Sequence, residues 1–250
     1  MSSPLSPARR RFLHTAAWFV AATIPGAGFA RTIGGALPWS PNAADPPPRV
    51  APNGFYFFTP AEVETATAVV DRLIPADDLS PSASECGVVV FVDRQLIGPF
   101  GTSSRLYTAG PFFPGTPRQG WQAPDTPAMR WRAGLAALET WVAANRAGRR
   151  FAALTAAEKD AVLTDLETGR IALDGGVDAR AFFALVLQNT MEGFFADPIY
   201  GGNRDMAAWR MLGFPGARYD YRDHVEQHGR PYPHPPVSIV GRPEWAGKVG

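Results

Sequence analysis

The side chains best suited to chemistry lie between Gln188 and Asp205. Glu192 and Asp197 are five residues apart, and Arg204 follows on the same stretch. Two neighbouring carboxylates can act as a general acid and a general base, while an arginine binds an anionic group. One hypothesis is therefore a stand-alone enzyme that uses Glu192 and Asp197 for acid–base chemistry.

The same stretch also suits a structural or binding role. Helical spacing places Asn189 and Glu192 on one stripe beside an apolar face, and Gly201-Gly202 allows a tight turn and close approach of another chain. Polar residues at a helix–loop junction more often serve structure or an interface than catalysis. We therefore predict no catalytic or cofactor-binding residue, and a partner interface instead. The interface candidates are Asn189, Glu192, Asp197, Tyr200, Gly201, Gly202, Asn203, Arg218, Tyr219 and Tyr221, and the middle loop around Trp121 is expected to contribute less.

Two histidines near the C-terminus form the next group. His224 and His228 are four residues apart, a spacing that places two imidazoles on one helical face and can hold a metal. A third ligand would have to come from His234, Asp223 or further away. Two ligands alone are a weak signal, so a metal-binding module at His224 and His228 is an alternative and no metal site is predicted.

The sequence contains none of the common cofactor-binding motifs considered next. Cys86 is the only cysteine, which excludes a disulfide within the chain, a four-thiolate iron–sulfur cluster and a CxxCH haem attachment. No GxGxxG follows a plausible strand, and neither GxxxxGK[ST] nor GxSxG is present. We expect no cofactor in this chain and a buried, unreactive Cys86.

Helix signals recur along the chain. Capping boxes at 59–62 and 155–158, a Thr-Pro start at 126–127 and a capping Asp178 each precede an apolar pattern of helical period. The pattern after Thr126 places Trp131, Leu135, Leu138 and Val142 on one helical face. The pattern after Asp178 forms a broad apolar stripe of Phe183, Val186, Leu187, Met191 and Phe194. Residues 88–92 are β-branched, but no second strand-like run could pair with them, so a helix from about Ser84 to Leu96 is predicted. The fold class is all-α: a single helical domain with long irregular loops and extended Pro-rich arms.

Extended arms flank this predicted domain. Residues 31–54 hold six prolines, a composition that favours an extended linker or arm. The tail from Gly229 is also rich in proline and is expected to run extended over a surface. The predicted domain occupies residues 55–241, and residues 242–250 form the end of the tail.

The first 30 residues have the pattern of a twin-arginine export signal. Arg9 and Arg10 form the pair, Phe12 and Leu13 occupy the consensus positions, and no Asp, Glu, Lys or Arg follows as far as Ala30. Gly28-Phe29-Ala30 offers a cleavage site, so we expect a periplasmic protein. This route carries folded proteins, usually because a cofactor is already bound. A chain without a cofactor motif therefore suggests an escort for a cofactor-bearing partner.

Charge limits the other partners. The chain has 24 basic and 23 acidic residues, and removal of Arg9, Arg10 and Arg11 leaves 21 against 23. This near-neutral balance gives no reason to expect binding to nucleic acid or to an anionic membrane surface.

Four motifs stand out along the chain: Leu73-Ile74-Pro75-Ala76-Asp77-Asp78, Phe91-Val92-Asp93-Arg94-Gln95-Leu96, residues 187–190 with 192–203 and their Asp-Pro-Ile-Tyr-Gly-Gly-Asn block, and Gly213-Phe214-Pro215-Gly216-Ala217-Arg218-Tyr219. Together they resemble the gluconate 2-dehydrogenase subunit 3 family. The resemblance runs from about Phe55 to Gly241.

The resemblance implies the small, non-catalytic subunit of a membrane-associated sugar or sugar-acid dehydrogenase complex. In such complexes a large GMC-type flavoprotein binds FAD, and a multihaem cytochrome c subunit carries haem c and passes electrons to quinone. The small subunit carries the twin-arginine signal and is needed for export of the flavoprotein. Membrane association is then expected through the complex. The family supplies no catalytic residues, and gluconate specificity does not transfer.

Overall fold

The computed structural model describes residue 50 and residues 54–106, 109–116, 118–218 and 221–239. The chain divides at Trp39 and Ser40 into two units, and all described residues belong to the second. The predicted export signal and most of the predicted proline-rich arm lie outside the described residues. None of the helices within the described ranges has the length and apolar character needed to cross a membrane.

The described residues form six α-helices and no strand, which confirms the all-α class. Four single-turn 3₁₀ helices lie between and after them, and Gly216 and Val237 form an isolated β-bridge. The helices are α1 (Pro60–Leu73), α2 (Val88–Ile97), α3 (Pro127–Asn145), α4 (Ala156–Thr168), α5 (Ala179–Phe195) and α6 (Ala207–Leu212).

Local capping signals set the starts of four helices, as predicted. The Thr59 and Thr155 side chains each accept a hydrogen bond from the N–H three residues ahead, and Glu62 and Glu158 accept one in return. The Thr126 side chain caps α3 by accepting from the Met129 N–H, and the Asp178 side chain caps α5 by accepting from the Ala181 N–H. Each cap satisfies N–H groups that the first helical turn cannot satisfy itself.

Helix α5 is the centre of the domain. It packs against each of the helices α1, α2, α3, α4 and α6. Trp131 of α3 is fully buried beside it, with its ring edge-on to Phe58 and Phe182 at centroid distances of 5.6 and 6.3 Å. The predicted apolar face of α3 (Trp131, Leu135, Leu138 and Val142) is buried throughout.

Two predicted details of the helices are wrong. Helix α2 begins at Val88, four residues later than predicted, because Ser84 to Gly87 form a turn that ends in the left-handed region at Gly87. A Cβ on Gly87 would lie only 2.3 Å from the Gly201 carbonyl oxygen, so close packing as well as backbone conformation requires glycine there. The predicted apolar stripe of α5 includes Met191, which is 49% exposed, whereas Leu185 and Asn189 are buried.

The stabilisation that Glu158 gives to the start of α4 should depend on pH. The carboxylate of Glu158 accepts hydrogen bonds first from the Arg149 guanidinium and then from the N–H and hydroxyl of Thr155, which lowers its pKa from 4.5 to about 2. A lowered folded-state pKa stabilises the fold above the unfolded value, and this stabilisation is lost as the pH falls from about 4.5 to about 2.

We expect Glu158→Gln to melt below the wild type at pH 7, with the difference disappearing as the pH approaches 2. Glutamine still completes a capping box, so the variant isolates the charge. Melting temperatures across this pH range measure the effect. A constant difference at all pH values would show that the charge of Glu158 does not matter.

Candidate functional site

The Asp-Pro-Ile-Tyr-Gly-Gly-Asn segment, residues 197–203, is called the junction block. It begins one residue after the C-cap of α5 and includes a 3₁₀ turn, Pro198–Tyr200. The Asp197 carboxylate caps this turn by accepting from the Ile199 N–H at 3.0 Å. Gly201 then takes a φ of 96°, which only glycine adopts without strain.

The junction block fastens both ends of the described domain. The buried Asp197 carboxylate accepts from the Ser238 hydroxyl at 2.8 Å and from the Ile239 N–H at 2.7 Å. On the N-terminal side, the Val50 N–H donates to the Ile199 carbonyl at 3.1 Å. Residues more than 180 positions apart in sequence are therefore held at one place in the fold.

The C-terminal tail is largely exposed from Gly229 to Pro236, as predicted, and becomes packed at its described end. Val237 and Ser238 are buried, and Val237 exchanges backbone hydrogen bonds with Pro215 and Ala217. The tail is thus packed into the domain at these residues and does not simply run over its surface.

The end of the junction block packs tightly against α5 and α6. The Asn203 side chain donates to the Ala196 carbonyl at 2.9 Å and accepts from the Ala208 N–H at 3.0 Å. A Cβ on Gly202 would lie 2.0 Å from the Gly193 carbonyl oxygen, so a side chain cannot fit there. These two residues join the end of α5 to the start of α6.

The polar side chains on α5 are bonded to one another and to the core. The buried Asn189 accepts from the Trp131 indole N–H at 2.8 Å and donates to Glu192 at 2.8 Å. Gln188 donates to the other Glu192 oxygen at 2.8 Å. Asn189 therefore supplies the hydrogen-bond acceptor that a fully buried tryptophan requires.

Burial divides the predicted interface residues into two sets. Asn189, Asp197, Gly202 and Asn203 are buried, whereas Glu192, Tyr200 and Tyr221 are exposed and Gly201 and Arg218 are half-buried. Arg218 donates to the Pro235 carbonyl and lies over the Tyr232 ring, so it also holds the tail. Tyr219 lies outside the described residues. A partner could reach the exposed set, and the buried set holds the chain's own segments together.

The two histidines do not share a helical face, which corrects the premise of the metal-site alternative. A 3₁₀ turn covers only Arg222–His224, and turns and bends follow it. The His224 ring contacts Tyr232 and His234, with centroid distances of 5.0 and 5.6 Å. Across the described ranges, no three His, Cys, Asp or Glu side chains group in a way that could hold a metal ion.

Cys86 is buried and free, as predicted. Burial, and then the nearby Glu85 carboxylate, raise the pKa of its thiol. A raised pKa keeps the sulfur protonated and unreactive, because the thiolate is the nucleophilic form.

Asp93 is a second anchor of the fold, with a role that was not predicted from the sequence. Its fully buried carboxylate accepts from the N–H groups of Tyr56, Phe57 and Phe58, each at 2.9 Å, and pairs with Arg94. The sequence feature that could have indicated this role is the charged pair Asp93-Arg94, which directly follows the apolar run 88–92. Asp93 thereby holds the segment that leads into α1.

Replacing Asp197 with alanine should release the C-terminal tail. The Ser238 hydroxyl and the Ile239 and Ile199 N–H groups would lose their acceptor, at a cost of roughly 1–3 kcal/mol. Limited proteolysis followed by mass spectrometry should show new cleavage between residues 225 and 239. Glu192→Gln is the control, since Glu192 is exposed and bonds only to side chains of its own helix. Equal cleavage of the two variants would contradict this role.

The described residues thus form a helical domain whose buried polar side chains hold its helices together and bind residues 238 and 239. A family model described as gluconate 2-dehydrogenase subunit 3 matches residues 60–216, more than half of the 250 residues. The chain therefore belongs to the gluconate 2-dehydrogenase subunit 3 family, named for one subunit of a dehydrogenase complex. No curated protein and no solved structure matches the chain.

Proposed function

We propose that the chain is the non-catalytic small subunit of a periplasmic flavin-dependent dehydrogenase complex that oxidises a sugar or sugar acid. The chain carries the twin-arginine signal and escorts a large GMC-type subunit, which holds FAD, through folding and export. A multihaem cytochrome c subunit would link the complex to the membrane. The observation that carries this proposal is the family match across α1 to α6, since the family is described as a dehydrogenase subunit.

The geometry of the acidic residues favours this role over acid–base catalysis. A general base must lie within hydrogen-bond reach of a substrate proton. The buried Asp197 carboxylate instead accepts three hydrogen bonds from the chain itself, and both Glu192 oxygens accept bonds from amides on α5. Asp197 binds the C-terminal tail, and Glu192 binds side chains on the surface of α5.

The leader and the absence of cofactor motifs give the second line of support. A signal for the export of folded proteins on a chain with one buried cysteine and no nucleotide-binding motif makes sense if another chain brings the cofactor. The escort role accounts for both features together.

Purification of the tagged full-length chain from its native host tests the proposal. We expect a large flavoprotein to co-purify with about one FAD per complex, and its reading frame to lie beside that of this chain. Dehydrogenase activity should follow the flavin content. A chain that purifies alone and oxidises sugars or sugar acids without a flavoprotein would contradict the proposal.

A further inference from the structure

The loop between α2 and α3 carries an unusual exposed surface. Residues 98–126, called the aromatic loop, contain five aromatic residues, two arginines and one carboxylate, Asp125, with no Glu or Lys. Its described residues, 98–106, 109–116 and 118–126, form no helix or strand. Connections of this length without regular secondary structure are usually either functional or disordered. Its apolar side chains face solvent, with Leu106 and Phe113 69% and 71% exposed and Phe100, Phe112 and Trp121 between 37% and 45%.

Hydrogen bonds and stacking hold part of this loop in place. The Trp121 indole N–H donates to the Asp125 carbonyl at 2.9 Å, and the Arg130 guanidinium lies 3.8 Å above the indole ring. Arg130 in turn donates to the Ala181 carbonyl in the first turn of α5. Trp121 is therefore attached to the helical core, and an aromatic side chain that is already fixed loses little entropy on binding.

The exposed rings surround a shared depression. Phe112, Phe113 and Trp121 line a concavity of about 360 Å³ with Pro114 and Pro124. In the same loop, the Gln119 side chain accepts a hydrogen bond from the Thr116 N–H at 2.6 Å. The loop thus offers both protruding apolar groups and a depression between them, which are the shapes that interlock at a protein interface.

Composition and charge together indicate what covers this surface. Interface cores are enriched in aromatic residues and arginine and depleted in Lys, Asp and Glu, which matches the aromatic loop. An anionic membrane is normally bound through about four to eight basic residues, and this loop has only Arg105 and Arg118. A second copy would bring four arginines together with only two carboxylates, the Asp125 of each loop, so the remaining positive charge opposes self-association.

We propose that the aromatic loop is the surface on which the flavoprotein subunit docks, a proposal that rests on the function proposed above. The partner should present apolar pockets for Leu106, Phe112 and Phe113, with carboxylates opposite Arg105 and Arg118. This docking surface differs from the interface predicted from the sequence, residues 189–205 and 218–222.

Three variants of the full-length tagged chain test this surface in the native host. Phe112→Ser with Phe113→Ser removes the apolar groups, and Arg105→Glu with Arg118→Glu reverses the charge. Leu79→Ser is the matched control, because Leu79 is 73% exposed but lies outside the loop. The measurement is FAD recovered per tagged chain, with melting temperatures of each isolated variant to show that it is folded.

We expect each double variant to recover at least tenfold less flavoprotein, with Leu79→Ser equal to the wild type. Wild-type recovery by the folded phenylalanine variant would overturn the surface assignment while leaving the escort function intact. The assignment is also wrong if the isolated chain binds phosphatidylglycerol vesicles through Phe112 and Phe113 while both double variants recover the flavoprotein normally. If even the wild-type chain recovers no flavoprotein, the proposed function fails and the assignment fails with it.

Discussion

If the proposed function is right, replacement of Arg9 and Arg10 by lysine leaves both this chain and the flavoprotein subunit that it escorts in the cytoplasm. Lysine keeps the positive charge but lacks the planar guanidinium fork, so it does not substitute where that group is recognised. Under the proposed function the partner has no export signal of its own. Its periplasmic dehydrogenase activity should therefore fall nearly to zero, while the same activity accumulates in the cytoplasm with FAD bound.

A third arginine has to be controlled in this experiment. Arg10-Arg11 could act weakly as a shifted pair, so the Arg9→Lys, Arg10→Lys and Arg11→Lys triple variant should remove any residual export. Arg170→Lys is the control, since Arg170 is an exposed residue just beyond α4 and its ion pair with Asp165 lies at the surface. Normal export of the flavoprotein with the triple variant would show that this chain does not escort it.

Replacement of Asp93 by alanine is expected to destabilise the domain by about 3–5 kcal/mol. The change removes the acceptor for the Tyr56, Phe57 and Phe58 N–H groups and one member of an ion pair whose carboxylate is fully buried. Buried donors left without an acceptor, and the loss of one member of a buried ion pair, are among the most costly single changes.

Thermal and denaturant melting of the isolated domain measure this effect. Asp174→Ala should change stability by no more than about 0.5 kcal/mol, because Asp174 is exposed. Asp93→Asn keeps one acceptor oxygen and should lie between the two. If the free energy of unfolding of Asp93→Ala were within about 1 kcal/mol of the wild-type value, the prediction would be wrong. Water or a rearranged backbone would then have to satisfy these N–H groups.

The sequence by itself determined the helical class and most helix starts. The caps at Thr59, Thr126, Thr155 and Asp178 are interactions between residues three positions apart, so they can be read without knowing the tertiary structure. The apolar face of α3 could also be predicted from the sequence, because its buried residues follow the helical period. The family was also predicted from short motifs, and the match over residues 60–216 confirms it.

The tertiary structure decided which residues of α5 are buried and what the junction block does. Helix α5 is packed on several sides, so its burial does not follow a single apolar stripe and Asn189 lies inside while Met191 lies outside. The partners of Asp197 at Ser238 and Ile239 are 41 and 42 residues away, and local sequence carries no signal for such a contact. Burial and long-range hydrogen bonds depend on how distant segments meet, which only the folded chain establishes.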